Sequence, residues 1–307
     1  MKKSIILIVI SMLLGAVTAM AQPQKVIAKD FERFYTIKVQ DNFVVRLKSS
    51  DRYAVRIVCD ERIAAHVQAY EKNGVLNLIL DEKGYTKELK EQLKQKGAAQ
   101  PTLEADIYVP EIKSLILMDK VLLRDCDAIR ADNFTMTVKD DVKVQKLDIN
   151  CTSAEIDILR NAVITDAIFN VSEKLTLKAS NSSKTSLIQY GGRAAFELNG
   201  SATLDMKGNV RLVEVIASSG SESHIYGNAD VLFVDGSGFS KTDVEYLEAR
   251  NGKVTLSGSA KCYSNVLDKL TVNLTGGSML TFKGMPEFII ERIVNSTLIK
   301  ADDPKRK

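Results

Sequence analysis

Tryptophan is absent and aromatics make up only 6% of the 307 residues, which argues against a sugar-stacking aromatic cleft. Only two histidines occur, so a Ser-His-Asp triad would have to use His66 or His224. Neither stands in a G-x-S-x-G or H-E-x-x-H frame, and both read as structural. No phosphate loop is present, and Gly236-Ser237-Gly238 lacks the last glycine of a dinucleotide fingerprint, so it reads as a turn. The four cysteines, Cys59, Cys126, Cys151 and Cys262, form no C-x-x-C pair, which disfavours zinc. Cys126 and Cys151 are 25 residues apart, a spacing that could bring them onto neighbouring turns of a repeat; buried free thiols are the preferred reading. No catalytic residue, metal or cofactor is therefore expected.

Clustered basic residues are also missing. The net charge of +3 falls to +1 without Lys2 and Lys3, and both signs are interspersed, which excludes a nucleic-acid footprint. The one basic run, Lys305-Arg306-Lys307, follows Asp302-Asp303 and reads as a frayed tail. Long apolar runs are confined to the start. Lys2-Lys3, the apolar stretch Ser4 to Val17 and the small-x-small signal Ala19-Met20-Ala21 read as a secretory leader, residues 1–21, cleaved before Gln22. The run is short of the ~20 residues a membrane span needs. No cysteine follows the cleavage point, which argues against a lipid anchor. The expected location is exported: periplasm, outer-membrane surface or extracellular, with no transmembrane span in the mature chain.

What is present is a period of two. Ile37 and Val39, Val45 and Leu47, Val55 and Ile57, and Leu76, Leu78 and Leu80 alternate with neighbours on the opposite pleat face, as in half-buried strands. Asn73-Gly74 is a hairpin-type turn, since both residues tolerate positive φ. Pro101 and Pro110 bracket a further strand, Leu103 to Val109. The period breaks over residues 85–97, where Leu89 and Leu93 share one side, Thr86 can cap the start and Gly97 can end it. This predicts a short, solvated helical insertion.

From about Leu115 short strands recur behind small-residue corners. Leu198-Asn199-Gly200-Ser201 leads into Thr203 and Leu204, and Ile216 to Ser221 leads into His224 and Ile225. The corners at Asn181, Gly200, Gly220 and Gly238 lie 19, 20 and 18 residues apart, and Gly276 follows 38 later, two steps on. Asn251-Gly252 and Ser257-Gly258 fall in that gap and make the step look less regular. Such a period marks stacked coils, each unable to bury its apolar side alone. Glycine suits corners that turn at positive φ close to the next coil. An antiparallel meander would favour two-residue Asn-Gly or Asp-Gly loops, so the parallel β-helix is preferred. Leucine-rich repeats are disfavoured because no helix accompanies each strand.

Leu274-Thr-Gly-Gly-Ser278-Met-Leu-Thr-Phe-Lys-Gly284-Met-Pro286 resembles the auto-transporter adhesin head-domain family, the head GIN domain. Val234 to Ala249 is similar to its Ser-Gly-x-Ser and Leu-Glu-Ala repeat, and Phe34 to Val39 and Gly74 to Leu78 to its opening strands. The resemblance runs from Phe34 to Pro286. The chain departs from it around Asp119-Lys120, Lys139-Asp140-Asp141 and Cys151-Thr152-Ser153, where the Ser-Gly turn is missing, and at the inserted helix. The resemblance implies a secreted β-helical protein of adhesive role and no catalytic residues.

The expected fold is all-β: a right-handed parallel β-helix, or single-stranded β-solenoid, with a smaller N-terminal β region. The expected divisions are the leader 1–21, the N-terminal β region 22–112, β-helix repeats 113–286, and C-terminal strands and tail 287–307. Phe288 to Ile290 and Ile293-Val294 are placed to seal the last coil. The expected function is a cell-envelope binding module acting by contact, with a surface glycan or an envelope protein as partner. The alternatives are a purely structural envelope protein and a polysaccharide-cleaving lyase or glycosidase. A glycosidase needs converging carboxylates, for which Asp140-Asp141, Asp125 with Asp127, and Asp205 with Asp243 are the candidates. Adjacent aspartates on a strand point to opposite faces, so Asp140 and Asp141 would share a cleft only on a turn. The Gly-His-Gly and Arg-x-Lys signatures of polygalacturonases are absent, as are calcium-binding nonapeptides.

Overall fold

The structure is a computed structural model that describes residues 23–95 and 100–301. The leader, Gly97 and the tail from Asp302 lie outside the described residues. Strands make up 69% of the described residues, wound as a β-solenoid of about nine turns with one helix among them.

The first rung is built from β-branched and aliphatic residues that alternate in and out. The opening strands are β1 (Gln24–Asp30), β2 (Thr36–Gln40), β3 (Val44–Ser49), β4 (Ala54–Asp60), β5 (Val67–Lys72), β6 (Val75–Leu80) and β7 (Leu103–Val109). They are followed by β8 (Ser114–Met118) and β9 (Leu122–Cys126). Strands β2 and β3 stack in parallel on β8 and β9. On their other side β6 and β7 run parallel to the same pair. The remaining N-terminal pairings are antiparallel: β5 to β6 through the Asn73-Gly74 turn, β4 to β7, and β1 to β4. This end of the solenoid is thereby covered.

The helix α1 (Lys87–Lys94) is shorter than residues 85–97. Thr86 Oγ1 accepts from the Leu89 amide at 3.2 Å and fixes the start. Tyr85 has extended backbone, and its buried ring meets His66 edge-on at 4.9 Å. His66 itself closes a short 3-10 turn, Ala64–His66.

The regular ladder comprises β10 (Ile129–Lys139), β11 (Lys143–Val144), β12 (Leu147–Leu159), β13 (Val163–Ala179), β14 (Lys184–Leu198) and β15 (Thr203–Ala217). It continues through β16 (Glu222–Gly236), β17 (Lys241–Leu256), β18 (Lys261–Thr275), β19 (Met279–Lys283), β20 (Glu287–Val294) and β21 (Thr297–Lys300). All these pairings are parallel, and each strand meets its counterpart one coil on. Strands β13 to β18 each bend once. Their second halves continue the stack begun by β2, here called flank one, and their first halves continue that of β3, flank two. Alternation sends Leu204, Met206, Val213 and Val215 of β15 inward, where they are fully buried. Phe134, Phe169 and Phe196 fill the same interior.

Between flank one and flank two the chain turns through left-handed backbone at every coil. Four early corners use two such residues each: Asp41-Asn42, Asp119-Lys120, Asp140-Asp141 and Arg160-Asn161. Later corners use one: Asn181, Gly200, Ser219, Gly238, Gly258, Gly276 and Asn295. From Asn181 to Gly276 the steps are 19, 19, 19, 20 and 18 residues. The coil that seemed irregular is regular, with Gly258 as its corner, and in the coil containing Gly220 the left-handed residue is Ser219. Corners bond to one another: Lys120 N to Asp140 O at 2.8 Å, Gly220 N to Gly200 O at 2.9 Å, Ser259 N to Gly238 O at 2.8 Å. At the opposite bend Gly208 and Gly227 lie so close to the coil before that a Cβ would sit 1.8 Å from a carbonyl oxygen.

At the far end β20 stacks on β18 and β21 on β19. These strands add a rung instead of sealing the stack, because their residues continue the parallel register and no strand crosses over them among the described residues.

Candidate functional site

Residues that share a register position stack into rows on the outside of each flank. On flank two one row reads Ser186, Asp205, His224, Asp243, Tyr263 and Thr281. The row beside it contains Lys184, Thr203, Glu222, Lys241 and Lys261. The ladder thus assembles charged and aromatic side chains that are about 20 residues apart in sequence.

His224 lies between two acids, with Nε2 3.3 Å from Glu222 Oε1 and Nδ1 3.8 Å from Asp243 Oδ2. Lys241 Nζ donates to Glu222 Oε1 at 2.7 Å. That bond holds the Glu222 carboxyl below the usual range and raises the Lys241 ammonium above its own. Beyond Asp243 the register of β17 slips against both neighbours, between His224 and Gly227 on one side and between Val244 and Glu248 on the other. Such a bulge re-aims side chains. Here it carries Glu245 and Tyr246 outward. The Tyr246 ring is 62% exposed and stacks on Tyr226, centroids 5.9 Å apart and planes 19° apart. Lys283 Nζ lies over the Tyr246 ring, 5.0 Å from its centroid, and 2.6 Å from Glu245 Oε1. Next to Tyr226 is a hollow of about 290 Å³ lined by Asp166, Ile168, Ser186, Ile188, Asp205 and Lys207. A larger hollow of about 590 Å³ beside Arg130 and Asp132 has no aromatic lining.

This arrangement offers an exposed pair of stacked aromatic rings with a carboxylate and an ammonium group beside it. Such a surface binds ligands that have an apolar face and several hydroxyl or charged groups.

The candidate carboxylates have other partners. Asp140 and Asp141 do sit on a turn, and Asp140 receives a bond from Arg160 Nη2 at 2.8 Å. Asp125 pairs with Lys146 at 2.9 Å, while Asp127 accepts from the Ser49 amide at 2.8 Å. Asp205 and Asp243 share a row, but His224 stands between them. The four thiols are free. Burial pushes Cys126 up to about 12 and Cys151 up to about 11, so neither is a reactive thiolate at neutral pH. Among the described residues no group of three or more His, Cys, Asp and Glu could hold a metal ion.

The corners Asn181, Gly200, Gly238 and Gly276 line one edge of the ladder, with Gly220 one residue past its corner. They position the flank and are not part of the tyrosine cluster. Sequence reasoning missed Tyr226, Tyr246 and Tyr263. Their signal was a recurrence at 20 and 17 residues, close to the repeat length itself.

A family model described as "Putative auto-transporter adhesin, head GIN domain" matches residues 33–187 and 169–286. The chain belongs to this family. A solved structure from Parabacteroides merdae described as a "putative adhesin" is 12% identical. Its TM-score is 0.49, over 91% of this chain and 96% of that one. A second "putative adhesin", from Parabacteroides distasonis, has the same identity and TM-score over 91% and 98% of the two chains. A third structure, also from Parabacteroides distasonis and described as a "Putative lipid binding protein", is 12% identical, with a TM-score of 0.44 over 91% and 97%. No curated protein matches the chain. No helix among the described residues is long and apolar enough to cross a membrane.

Proposed function

We propose that this head GIN protein is an exported module of the cell envelope that holds its partner by contact, catalyses nothing, and takes a surface glycan as ligand. The observation that carries the reading is the Tyr226–Tyr246 stack on the outside of flank two, with Lys283 and Glu245 beside Tyr246 and Asp205 and Lys207 lining the hollow next to Tyr226. Sugar rings have apolar C–H faces that stack on aromatic rings and hydroxyl edges that bond to carboxylates. The ladder lends rigidity, so little ordering entropy is lost when the face is occupied.

A glycan array probed with the purified protein tests this. Binding to at least one glycan class is expected, weakened about tenfold or more by Tyr246→Ala or Tyr226→Ala. An empty array, or tyrosine variants that bind as well as the parent, contradicts the reading and favours a purely structural envelope protein.

The second reading, a polysaccharide-cleaving enzyme, rests on Asp205 and Asp243. Two rungs separate them, about 9.6 Å at the strand spacing, near the upper end of the carboxyl separation of inverting glycosidases. Release of reducing ends that is abolished by Asp243→Asn would favour it over contact binding.

A further inference from the structure

Asparagine followed by glycine is chemically weak, because a glycine nitrogen with no Cβ beside it can reach the carbonyl carbon of the asparagine side chain. The chain has three such pairs, Asn73-Gly74, Asn199-Gly200 and Asn251-Gly252. They differ at the nitrogen that must attack. Gly74 N donates to Glu71 Oε1 at 2.6 Å. Gly252 lies inside β17, between Leu232 of β16 and Leu270 of β18, where ladder bonds engage the backbone amides. At the corner after β14, the peptide joining Asn199 to Gly200 makes no hydrogen bond among the described residues, through either its carbonyl or its N–H. The groups on both sides of it are held. Asn199 N donates to Ala179 O at 3.0 Å, and Gly200 O accepts from Gly220 N at 2.9 Å. The ladder thus fixes the flanks of this peptide and leaves its own plane unrestrained by hydrogen bonds.

The side chain is placed for the same reaction. Asn199 is exposed, and its Oδ1 accepts from Ser219 Oγ, one coil on, at 3.1 Å. When a nitrogen adds to an amide carbon, negative charge builds on that oxygen, and a hydroxyl already aimed at it stabilises the charge. Ser219 is held there by its own left-handed corner, at φ 62°.

We propose that Asn199 is a site of spontaneous covalent modification, where the Gly200 nitrogen closes a succinimide ring with help from Ser219. The Gly200 N–H gives its proton to solvent base. Its nitrogen bonds to Asn199 Cγ, the Cγ–Nδ2 bond breaks, and ammonia leaves. Water then opens the ring at either carbonyl and yields aspartate or isoaspartate. The net change consumes water and releases ammonia, with no oxidant or reductant. Both products add a negative charge to the corner edge. Isoaspartate also routes the main chain through Cβ, which lengthens the corner and draws Gly200 O away from Gly220 N.

Timed incubation of the purified protein in mildly alkaline buffer, followed by peptide mapping with isoaspartate detection, tests the proposal. Conversion is expected at Asn199, and about tenfold or more slower at Asn73 and Asn251. In denaturant all three should convert at similar rates, because the fold no longer selects among them. Ser219→Gly suits left-handed backbone and lacks the hydroxyl, and should slow conversion at Asn199 about fivefold, as expected for one lost hydrogen bond in the transition state. An Asn199 that stays intact in the folded protein while the denatured chain converts overturns the proposal. So do equal rates at all three sites in the folded protein, or a Ser219→Gly variant that converts as fast as the parent.

Discussion

The early and late coils turn the same corner with different chemistry. Asp41-Asn42, Asp119-Lys120, Asp140-Asp141 and Arg160-Asn161 place two consecutive residues in the left-handed region. From Asn181 onward one residue suffices, and it is glycine at Gly200, Gly238, Gly258 and Gly276. The cause is room. A Cβ on Gly276 would lie 2.8 Å from the Gly258 backbone, and one on Gly238 3.1 Å from that of Ser219. The two-residue corners carry side chains that point away from the stack, Arg160 reaching Asp140 across a coil. Short polar side chains tolerate left-handed backbone by bonding locally, so Asp and Asn suit the early turns. Lys120 has no such help and holds a strained conformation. Similar backbone paths can thus hide behind dissimilar sequences.

The largest effect should come from crowding a late corner. Gly276→Val combines a positive φ of 82° with a backbone clash, and should lower unfolding free energy by about 3 kcal/mol or more in chemical denaturation. A loss under about 1 kcal/mol would mean that the late corners do not need glycine, and the contrast with the early coils would dissolve. A smaller effect of opposite sign is expected at an early corner. Lys120→Gly relieves left-handed strain against some gain in unfolded-state entropy, and should be neutral or stabilising by up to about 1 kcal/mol. A clear loss would show that the Lys120 side chain is itself needed.

The smallest effect is electrostatic. Burial, then Asp119 and Glu82, raise the Asp41 carboxyl above its ordinary value. Its folded form therefore holds a proton to higher pH than its unfolded form, and stability falls as pH rises through that window. Asp41→Asn keeps a residue suited to left-handed backbone and removes the charge. It should be more stable than the parent at neutral pH, by about 0.5 kcal/mol or less after solvent screening, and the gain should vanish below the carboxylate range. A gain that persists in acid would assign it to the asparagine turn and not to charge.

Much of the ladder was legible because glycine and serine mark corners where the next backbone is close. What stayed hidden follows from the same physics. Asp119-Lys120 and Asp140-Asp141 looked like departures from the repeat, since charged pairs do not advertise a turn, yet they are corners. Cys151 to Ser153, by contrast, lies within β12 where the register shifts against β13. Gly252 resembles a corner in sequence but sits inside β17, facing Val266 across the interior. The tyrosine face was out of reach for a different reason: no local motif links Tyr226 to Tyr246, and only stacking in register brings their rings together.

Amide hydrogen exchange resolved to single residues tests most directly whether the early and late coils form one continuous ladder. The Lys120 and Asp141 amides in the early corners donate to the coil after, and Gly220 and Ser259 in the late ones donate to the coil before. Comparable, strong protection at all four is predicted. Free exchange at Lys120 and Asp141 beside slow exchange at Gly220 and Ser259 would contradict the account.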